Sequence, residues 1–449
     1  MVTIDSIVIE GNRKTKARII TRELTFAVGD SLPLSNMGVI MEQNRLRLLS
    51  TSLFINVKMN VQNWSENNHV AIHIICVENW YLYPVPIFEL ADRNFSDWWV
   101  NQNRDLKRVN LGMRLTYNNA TGQRDPFSLT LQLGYTPRYS FSYSIPYINK
   151  KQTIGLSGNF SSSVNREIGD RTVNNKIKFN KGDSSNFVVR RIGASLGMSY
   201  TPGLFVSHGI SVGYTNNKVD TTIAKNFNSE FYSPGSVAES YFYVSYGFSI
   251  DKRDFRYYAE NGYRLNGGIN KNGLFGSDNI NNMDVQLRYT QYQSLSKKLS
   301  YEGTIKGKLA LMRSFQPLNH RRGLGYGGDF VRGYELYVTD ALDYAFVKNS
   351  LRFKWFDKDL KFDKWTKKKR VGDFLNIPLK SYFTVNFDAG VSNDPFYGIE
   401  NNNKLNNSVL YGGGVGLDIL AYYGLLWRFE YSLNQLGEGR LYFSYSASF

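Results

Sequence analysis

The chain has 449 residues, a mean hydropathy of −0.37 and 31 Tyr and 29 Phe residues; its length predicts one large unit with a small one, or two comparable units. The net charge of +16 favours anionic neighbours such as lipid headgroups, and nucleic acid is disfavoured because the basic residues are dispersed instead of lining one groove. The longest apolar run, residues 419–427, is far below the roughly 20 residues of a spanning helix, and the single cysteine, Cys76, excludes an intrachain disulfide.

Residues 1–79 have the pattern of a small α/β module in the order strand, helix, helix, strand, strand. Residues 2–9 are apolar and β-branched, as in a strand, and Thr15 is placed to cap a first helix. A second helix is expected after a cap near Ser35, followed by two strands, the last over residues 70–77. We therefore predict a separate compact module that ends near residue 79.

From about residue 107, apolar and polar residues alternate nearly to the C-terminus. In the first such segment, Leu111 and Met113 alternate with Asn110 and Arg114. Segments of this kind begin near residues 107, 126, 138, 152, 188, 204, 222, 238, 261, 281, 299, 344, 380, 408, 424 and 438, which gives about sixteen strands. Residues 81–91 and 172–181 are ambiguous, so residues 80–106 are either a junction or a first barrel segment.

A chain that is rich in aromatic residues but polar on average fits a water-filled barrel, whose outward side chains face lipid and whose inward ones face water. Short and long connections alternate along the chain, as in an up-and-down meander, and closure would remove exposed strand edges. We therefore predict a mainly β fold, a transmembrane antiparallel up-and-down β-barrel of about 16 strands over residues 107–449, preceded by the α/β module. A soluble β-sandwich or propeller is the alternative.

Two long insertions interrupt the strands, at residues 315–343 and 357–379. Loops of this length are usually functional or disordered. The second contains a basic run at residues 367–370, which suits a solvated turn or contact with anionic headgroups. The first contains the tetrapeptide Val331, Arg332, Gly333 and Tyr334.

This tetrapeptide resembles the Val-Arg-Gly-Phe/Tyr signature of the BamA/TamA family of outer-membrane assembly barrels, the bacterial surface antigen type. The resemblance implies that the loop over residues 315–343 folds back into the lumen, where Arg332 pairs with an acidic residue. The matching acid is Asp388, which the alternation of its strand turns inward. The family often has a second acid in the strand after the loop, but this chain has Ser350 there, so a single acid is expected. An ordinary glycine turn is the alternative interpretation.

Three further segments resemble the same family. The chain ends on Phe449 at lipid-facing parity, as do the terminal strands that the barrel assembly machinery recognises. Asp251, Arg253 and Asp254, followed by Gly262, resemble a family turn. The first module resembles a POTRA domain, because its characteristic segments follow one another in the order found in that family. These segments are residues 4–9, Gly11-Asn12, Gly29-Asp30, and Leu53-Phe54 with Val57.

The resemblance implies an outer-membrane protein of a Gram-negative bacterium, with one POTRA domain in the periplasm, that inserts or translocates other proteins. Its partners would be unfolded outer-membrane protein clients, the lipid bilayer and periplasmic or lipoprotein accessory subunits. Clients would insert at a lateral seam between the first and last barrel strands, marked by Val109, Leu111, Met113, Phe443, Tyr445 and Phe449. A passive channel or a secretion pore for a single partner is the alternative.

The sequence gives little support for an enzyme. His69, His73, His208 and His320 have no motif partners, and the sequence contains no nucleophile elbow, phosphate loop or HExxH run. We expect no catalytic residue, no metal and no cofactor. The first residues lack a basic region followed by an apolar core, and we expect a mature form of an exported protein.

Overall fold

The structure of the protein is a computed structural model that describes residues 1–62, 64, 68–92, 95–149, 151–181, 187–361, 376–396, 401–421 and 424–447. Phe449 and the basic run at residues 367–370 lie outside the described residues. Within the described residues, no helix is both long enough and apolar enough to cross a membrane.

The N-terminal residues form the predicted α/β module. Its elements are β1 (Val2–Glu10), α1 (Ala17–Arg22), β2 (Ser31–Leu32), α2 (Met37–Leu49), β3 (Phe54–Gln62) and β4 (His69–Glu78). The sheet has the order β2-β1-β4-β3, with β1 parallel to β4 and the other pairs antiparallel. Aliphatic side chains from both layers form the core, among them Ile4, Ile20, Leu48 and Ile72, which are fully buried.

Neither predicted helix cap is present in the module. The N-cap residues are Lys16 for α1 and Asn36 for α2, and neither side chain bonds to its helix. Thr15 is buried instead: its hydroxyl lies 2.7 Å from the hydroxyl of Tyr81 and accepts a hydrogen bond of 3.0 Å from the amide of Asn119. Contacts with the following domain therefore prevail over local capping.

The rest of the chain forms a sixteen-stranded antiparallel sheet, which confirms the predicted barrel. In chain order the elements are β5 (Leu82–Leu90), α3 (Phe95–Val100), β6 (Val109–Tyr117), β7 (Phe127–Gly134), β8 (Arg138–Ile145), β9 (Ile154–Asn165), β10 (Ile168–Val173), β11 (Lys176–Asn180), β12 (Val189–Tyr200), β13 (Val206–Val219), β14 (Ala238–Asp251), β15 (Gly262–Asn272), β16 (Asn282–Ser294), β17 (Leu299–Ala310), β18 (Asp343–Lys361), β19 (Asn376–Asn393), β20 (Val409–Ala421), β21 (Leu425–Asn434) and β22 (Gly439–Ala447). The barrel strands pair in chain order from β5 to β22, and β10 and β11 form a separate hairpin.

The strand count of about sixteen is right, but two compensating errors lie behind it. The strand predicted near residue 222 is a helical turn, Ile223–Phe227, which begins where the Asp220 carboxylate accepts a hydrogen bond from the backbone of Thr222. The ambiguous residues 81–91 contain β5, the first strand of the barrel sheet. The ambiguous residues 172–181 overlap the β10–β11 hairpin and add no strand to the wall.

The two faces of the wall have the predicted character. Outward side chains such as Leu441, 69% exposed, and Val385, 60% exposed, are apolar. Inward neighbours such as Asn386 and Ser432 are polar and buried within the barrel. The sheet therefore presents an apolar surface to lipid and a polar surface to its lumen.

The module contacts the turns at one end of the barrel, here called the module end; the opposite end is called the far end. The backbone N–H of Lys16 donates a hydrogen bond of 3.0 Å to the carbonyl of Gly122, in the β6–β7 turn. Glu23 forms an ion pair of 3.0 Å with Arg124 in the same turn. Ser52 forms a hydrogen bond with Tyr257 in the β14–β15 turn. Arg22 also donates a hydrogen bond of 3.0 Å to the carbonyl of Gln152, in the β8–β9 turn. The module is thus attached to several separate turns of the rim.

The lipid-facing assignment predicts the effect of a charge on each face. Val385→Arg, near the middle of β19, should lower the free energy of unfolding by about 2–4 kcal/mol, because lipid cannot solvate the guanidinium. The matched control is Ser142→Arg on the inward face of β8, which should change it by only about 0.5 kcal/mol. Urea unfolding in lipid vesicles measures both, and an equal loss for the two variants would contradict the assignment.

Candidate functional site

The loop between β17 and β18, residues 311–342, folds into the barrel lumen and brings the candidate motif with it. The interval is close to the predicted one, residues 315–343. Leu324, Val331 and Tyr334 of the loop are buried in a cluster with side chains of the wall and of the neighbouring loop, namely Tyr344, Phe346, Leu405 and Leu410. The loop is therefore packed like a small core against the inner wall.

Arg332 is the polar centre of this packed loop. Its Nη1 lies 2.6 Å from Oδ1 of Asp388 on β19, and its backbone N–H donates to Oδ2 of the same carboxylate at 3.2 Å. Asp388 is fully buried and Arg332 nearly so. Two contacts from one residue fix both the guanidinium and the main chain of the loop on β19.

A second acid completes the site, which corrects the expectation of a single one. Nε of Arg332 lies 2.7 Å from Oε1 of Glu430 on β21, and Nη2 donates to the hydroxyl of Ser350 on β18 at 3.1 Å. Arg332 thus bridges three strands of the wall. Glu430 lies between the outward residues Phe429 and Tyr431, so its inward orientation was readable from the sequence, but its proximity to the loop was not.

Glycine residues allow the backbones of the loop and the wall to approach closely. Gly333 has a positive φ of 84°, and a Cβ there would lie 2.9 Å from Asn434 Cβ. Gly412 on β20 faces the loop, where a Cβ would lie 2.0 Å from the carbonyl oxygen of Arg332. The amide of Asn434 donates to the carbonyl of Gly333 at 2.8 Å. The Gly333 of the motif is therefore required by both conformation and space.

The residues after the motif extend the contact toward the last strand. The hydroxyl of Tyr337 donates to Glu438, in the β21–β22 turn, at 2.9 Å. Burial raises the pKa of Glu335 to about 7, and the charge of Glu430 adds to the rise, while Lys348 and the hydroxyl of Tyr442 on β22 oppose it. Glu335 is thus a buried loop carboxyl whose charge changes near neutral pH.

A polar cavity of about 410 Å³ lies beside this site. On the loop side, its lining includes Arg332 and Glu335, and on the wall side it includes Lys348 and Glu430. It also reaches β22, through Tyr442, Phe443 and Ser444. The motif and the last strand of the barrel sheet therefore border the same space.

The terminal strands of the sheet are β5 and β22, and no backbone ladder joins them within the described residues. Val109, Leu111 and Met113 lie on β6, which is paired with both β5 and β7. The predicted first strand is thus the second, and the prediction of these three residues as seam residues is corrected. The seam residues predicted on the last strand, Phe443 and Tyr445, do lie on β22 and face outward.

The other family-like turn lies at the module end, between β14 and β15. Arg253 pairs with Asp251 at 2.7 Å, and the turn then enters the lumen, where the hydroxyl of Tyr258 donates to Asp418 on β20 at 3.0 Å. Asp418 also pairs with Arg428 at 2.8 Å. Side chains from this turn therefore tie the β14–β15 region to the opposite wall.

The far end of the lumen is covered by an interlocked set of loops. The β10–β11 hairpin meets the motif loop at Asn175, whose amide donates to the carbonyl of Val338 at 3.0 Å. Thr172 of the hairpin donates to Asp340 at 3.0 Å. The connection between β19 and β20 joins them through Asn403, which accepts from the backbone N–H of Asn175 at 2.8 Å. These contacts hold the loop in place from outside.

In the part of the chain that the structure describes, no group of three or more His, Cys, Asp or Glu residues is placed to hold a metal ion. His320 has a structural contact, since its Nε2 lies 3.0 Å from Glu239.

Comparison with known proteins identifies the class of barrel. Residues 88–339 match the Omp85 superfamily domain. The chain belongs to the Omp85 superfamily. Omp85 proteins are outer-membrane insertion or translocation proteins of Gram-negative bacteria, so this barrel lies in the outer membrane and its N-terminal module in the periplasm. A search of curated proteins found no match.

Solved structures share this Omp85 fold at low sequence identity. CdiB from Escherichia coli has a TM-score of 0.57 and 13% identity, with 100% of this chain and 76% of the other covered. BamA from Haemophilus ducreyi lacking POTRA domains 1-3 has a TM-score of 0.52 and 16% identity, with 99% and 84% covered. CdiB from Acinetobacter baumannii has a TM-score of 0.51 and 13% identity, with 100% and 74% covered. At these identities the likeness shows the fold alone.

The geometry of Arg332 predicts a large effect of its removal. Arg332→Ala leaves Asp388 and Glu430 buried with less countercharge, and should cost about 3–5 kcal/mol of stability. Limited proteolysis of the loop and urea unfolding measure the change. Arg253→Ala, which removes a pair at the module end, is the control and should leave the loop protected. A protected loop in Arg332→Ala would refute the anchoring role, and partial rescue by exchange of Arg332 and Asp388 would support it.

The raised pKa of Glu335 predicts that docking of the motif loop in the lumen depends on pH. Its pKa of about 7 lies above the usual value of 4.5, so the docked loop binds the proton more tightly than the undocked loop. Docking should therefore be most stable below about pH 4.5 and weaken as the pH rises through about 7. Hydrogen exchange of residues 321–342 at pH 5 and pH 8 measures this. Glu335→Gln should reduce the difference, and the remainder belongs to Asp340 of the same loop, whose pKa burial raises to about 6. Glu230→Gln, on an exposed loop, should leave the difference unchanged.

Proposed function

We propose that the protein inserts unfolded outer-membrane proteins through a lateral seam between β5 and β22. The observation that carries the proposal is the pairing of these strands: within the described residues, β5 pairs only with β6 and β22 only with β21. Unpaired backbone groups at membrane depth find no partner in lipid. A client strand that pairs with such an edge satisfies them, so insertion needs no covalent step and no catalytic residue.

The sequence of β5 supports a weak seam. Pro84 and Pro86 lie two residues apart, so their nitrogens face the same edge of the strand, and neither nitrogen can donate a hydrogen bond. Proline within a sheet is confined to edge strands, with the nitrogen away from the ladder. Since β6 occupies one edge of β5, the prolines face the seam. In the proposed seam, β22 would face an edge that lacks two donors.

The cavity beside β22 supports an amphipathic strand as the client segment. Side chains of an added strand alternate between the two faces of the sheet. The inward ones would meet the charged groups of the cavity, among them Glu335 and Lys348. The outward ones would face lipid, as Phe443 and Tyr445 do. This alternation is the pattern of an unfolded barrel strand.

Residues 1–79 act in this proposal as a POTRA-like domain that receives clients in the periplasm, with residues 80–106 leading into the barrel. β2 covers only the first residues of β1, pairing with Val2 and Thr3, and β3 is the other edge strand of the sheet. Strand addition at such an edge uses backbone hydrogen bonds and needs little sequence specificity. Periplasmic or lipoprotein accessory subunits would dock on the same module.

A secretion pore for one partner is the second candidate, and the packing of the motif loop inside the lumen favours it over a passive channel. The packed loop around Arg332 and its far-end contacts through Asn175 obstruct the lumen. A passive channel would conduct ions steadily in a planar bilayer, whereas an insertase plugged by this loop would not.

The insertion proposal predicts that closing the seam slows activity. The wild-type protein in liposomes should speed the folding of an unfolded outer-membrane barrel relative to empty liposomes. The variant Pro84→Thr with Pro86→Val restores two donors to β5 and should reduce the acceleration several-fold. Pro202→Thr, in the β12–β13 turn away from the seam, is the control. No acceleration by the wild type would refute insertion, and full activity of the double variant would refute the role of the prolines.

A further inference from the structure

A second chamber lies inside the barrel near the far end, separate from the Arg332 cavity. Its volume is about 620 Å³, within the range of roughly 300–1,000 Å³ of ligand sites. Arg138 of β8, Arg191 of β12 and Arg322 of the motif loop line it. Its remaining lining is neutral, with Thr136, Ser161, Ser163, Asn165, Ile192, Gly193, Thr215, Asn217 and Asn319.

The three arginines differ from those of the Arg332 site. Within the described residues, none of the three has a carboxylate at ion-pair distance, whereas Arg332, Arg352 and Arg428 each contact one. The charge of Glu239 reaches Arg191, but Glu239 is engaged with His320 at 3.0 Å. The chamber therefore holds three arginines without a directly paired carboxylate, and Glu239 compensates their charge only in part.

Neutral side chains hold two of these guanidinium groups. Nη1 of Arg191 donates to the amide oxygen of Asn165 at 2.6 Å. Nη2 of Arg322 donates to the amide oxygen of Asn319 at 2.8 Å, and its guanidinium lies 5.5 Å from the ring centroid of Tyr326. Each arginine keeps further N–H donors for a ligand. The donors are thus positioned before any anion arrives, which lowers the entropic cost of binding.

Asn217 adds an independent requirement. Its side chain is 5% exposed, and its Oδ1 has no hydrogen-bond partner within the described structure. A buried acceptor without a partner is costly, so a ligand that also brings an N–H donor fits this chamber better than a bare anion does. A polypeptide with acidic side chains brings both groups.

We propose that this chamber binds an acidic polypeptide segment inside the lumen, through carboxylates at Arg138, Arg191 and Arg322 and a backbone N–H at Asn217. The choice of a polypeptide rests on the proposed function. In that proposal clients are received at the module end, and the chamber lies farther along the lumen. Because Arg322 belongs to the loop that carries Arg332, an occupied chamber also contacts the motif loop. Two other ligands offer negative charge. Free phosphate lacks the N–H donor for Asn217, and an acidic oligosaccharide has hydroxyl donors in its place.

The test is binding of fluorescent hexaglutamate to the purified full chain in detergent, with hexaglutamine as the neutral probe. Hexaglutamate should bind at least about tenfold more tightly, and Arg191→Gln and Arg322→Gln should each weaken it about tenfold, as expected for a charge-assisted hydrogen bond. Arg114→Gln, an inward arginine of β6 outside the chamber, is the control and should leave binding unchanged. Heat-modifiable migration on gels confirms that each barrel is folded.

Each other outcome overturns part of the proposal. Equal weakening by Arg114→Gln, or equal affinity for both peptides, would reduce the effect to general attraction by a basic protein and remove the site. Direct binding of inorganic phosphate or trigalacturonate, with no binding of hexaglutamate, would remove the polypeptide as the ligand. Because binding is measured without an insertion reaction, its failure leaves seam insertion standing, and a failed insertion assay leaves the binding result standing.

Discussion

A backbone amide or carbonyl at membrane depth must be paired within the protein, because lipid offers it no partner. Sixteen barrel strands meet this constraint along fifteen ladders, from β5–β6 to β21–β22. The remaining junction is the one between the two terminal strands. Two features of the barrel lie at this junction, Pro84 and Pro86 on β5 and the Arg332 cavity beside β22.

The motif loop combines two kinds of stabilisation that have different consequences. Apolar packing around Val331 and Tyr334 holds the loop in place without directional contacts. The contacts of Arg332 with Asp388 and Glu430 define one register, because a displaced guanidinium would leave buried carboxylates without a countercharge. A partial displacement of the loop would therefore cost the ion pairs before it loses the apolar packing.

The sequence predicted the barrel because a water-filled wall imposes a period of two on every strand, and that signal is strong over sixteen repeats. It also predicted that Asp388 points inward, since orientation follows from alternation alone. It left residues 81–91 open between a strand and a junction, because Pro84 and Pro86 weaken the strand signal, and so the seam was placed one strand too late. It did not bring Glu430 to Arg332, because the distance across three strands depends on the loop path and not on local pattern.

The inner wall divides into two halves with different chemistry, which follows from where the loop binds. On β8, β9 and β13 most inward positions carry small neutral side chains such as Ser142, Ser161 and Thr215, and the charged exceptions in this half are Arg138 on β8 and Arg191 on β12. On β18 to β21 they carry the charges that pair with the loop, among them Asp388 and Glu430. A buried charge needs a fixed partner, so the charged half is suited to holding a rigid plug. The other half combines hydroxyl side chains with Arg138 and Arg191, which have no carboxylate at ion-pair distance within the described residues, so its positive charge is available to an acidic ligand that is not part of the wall.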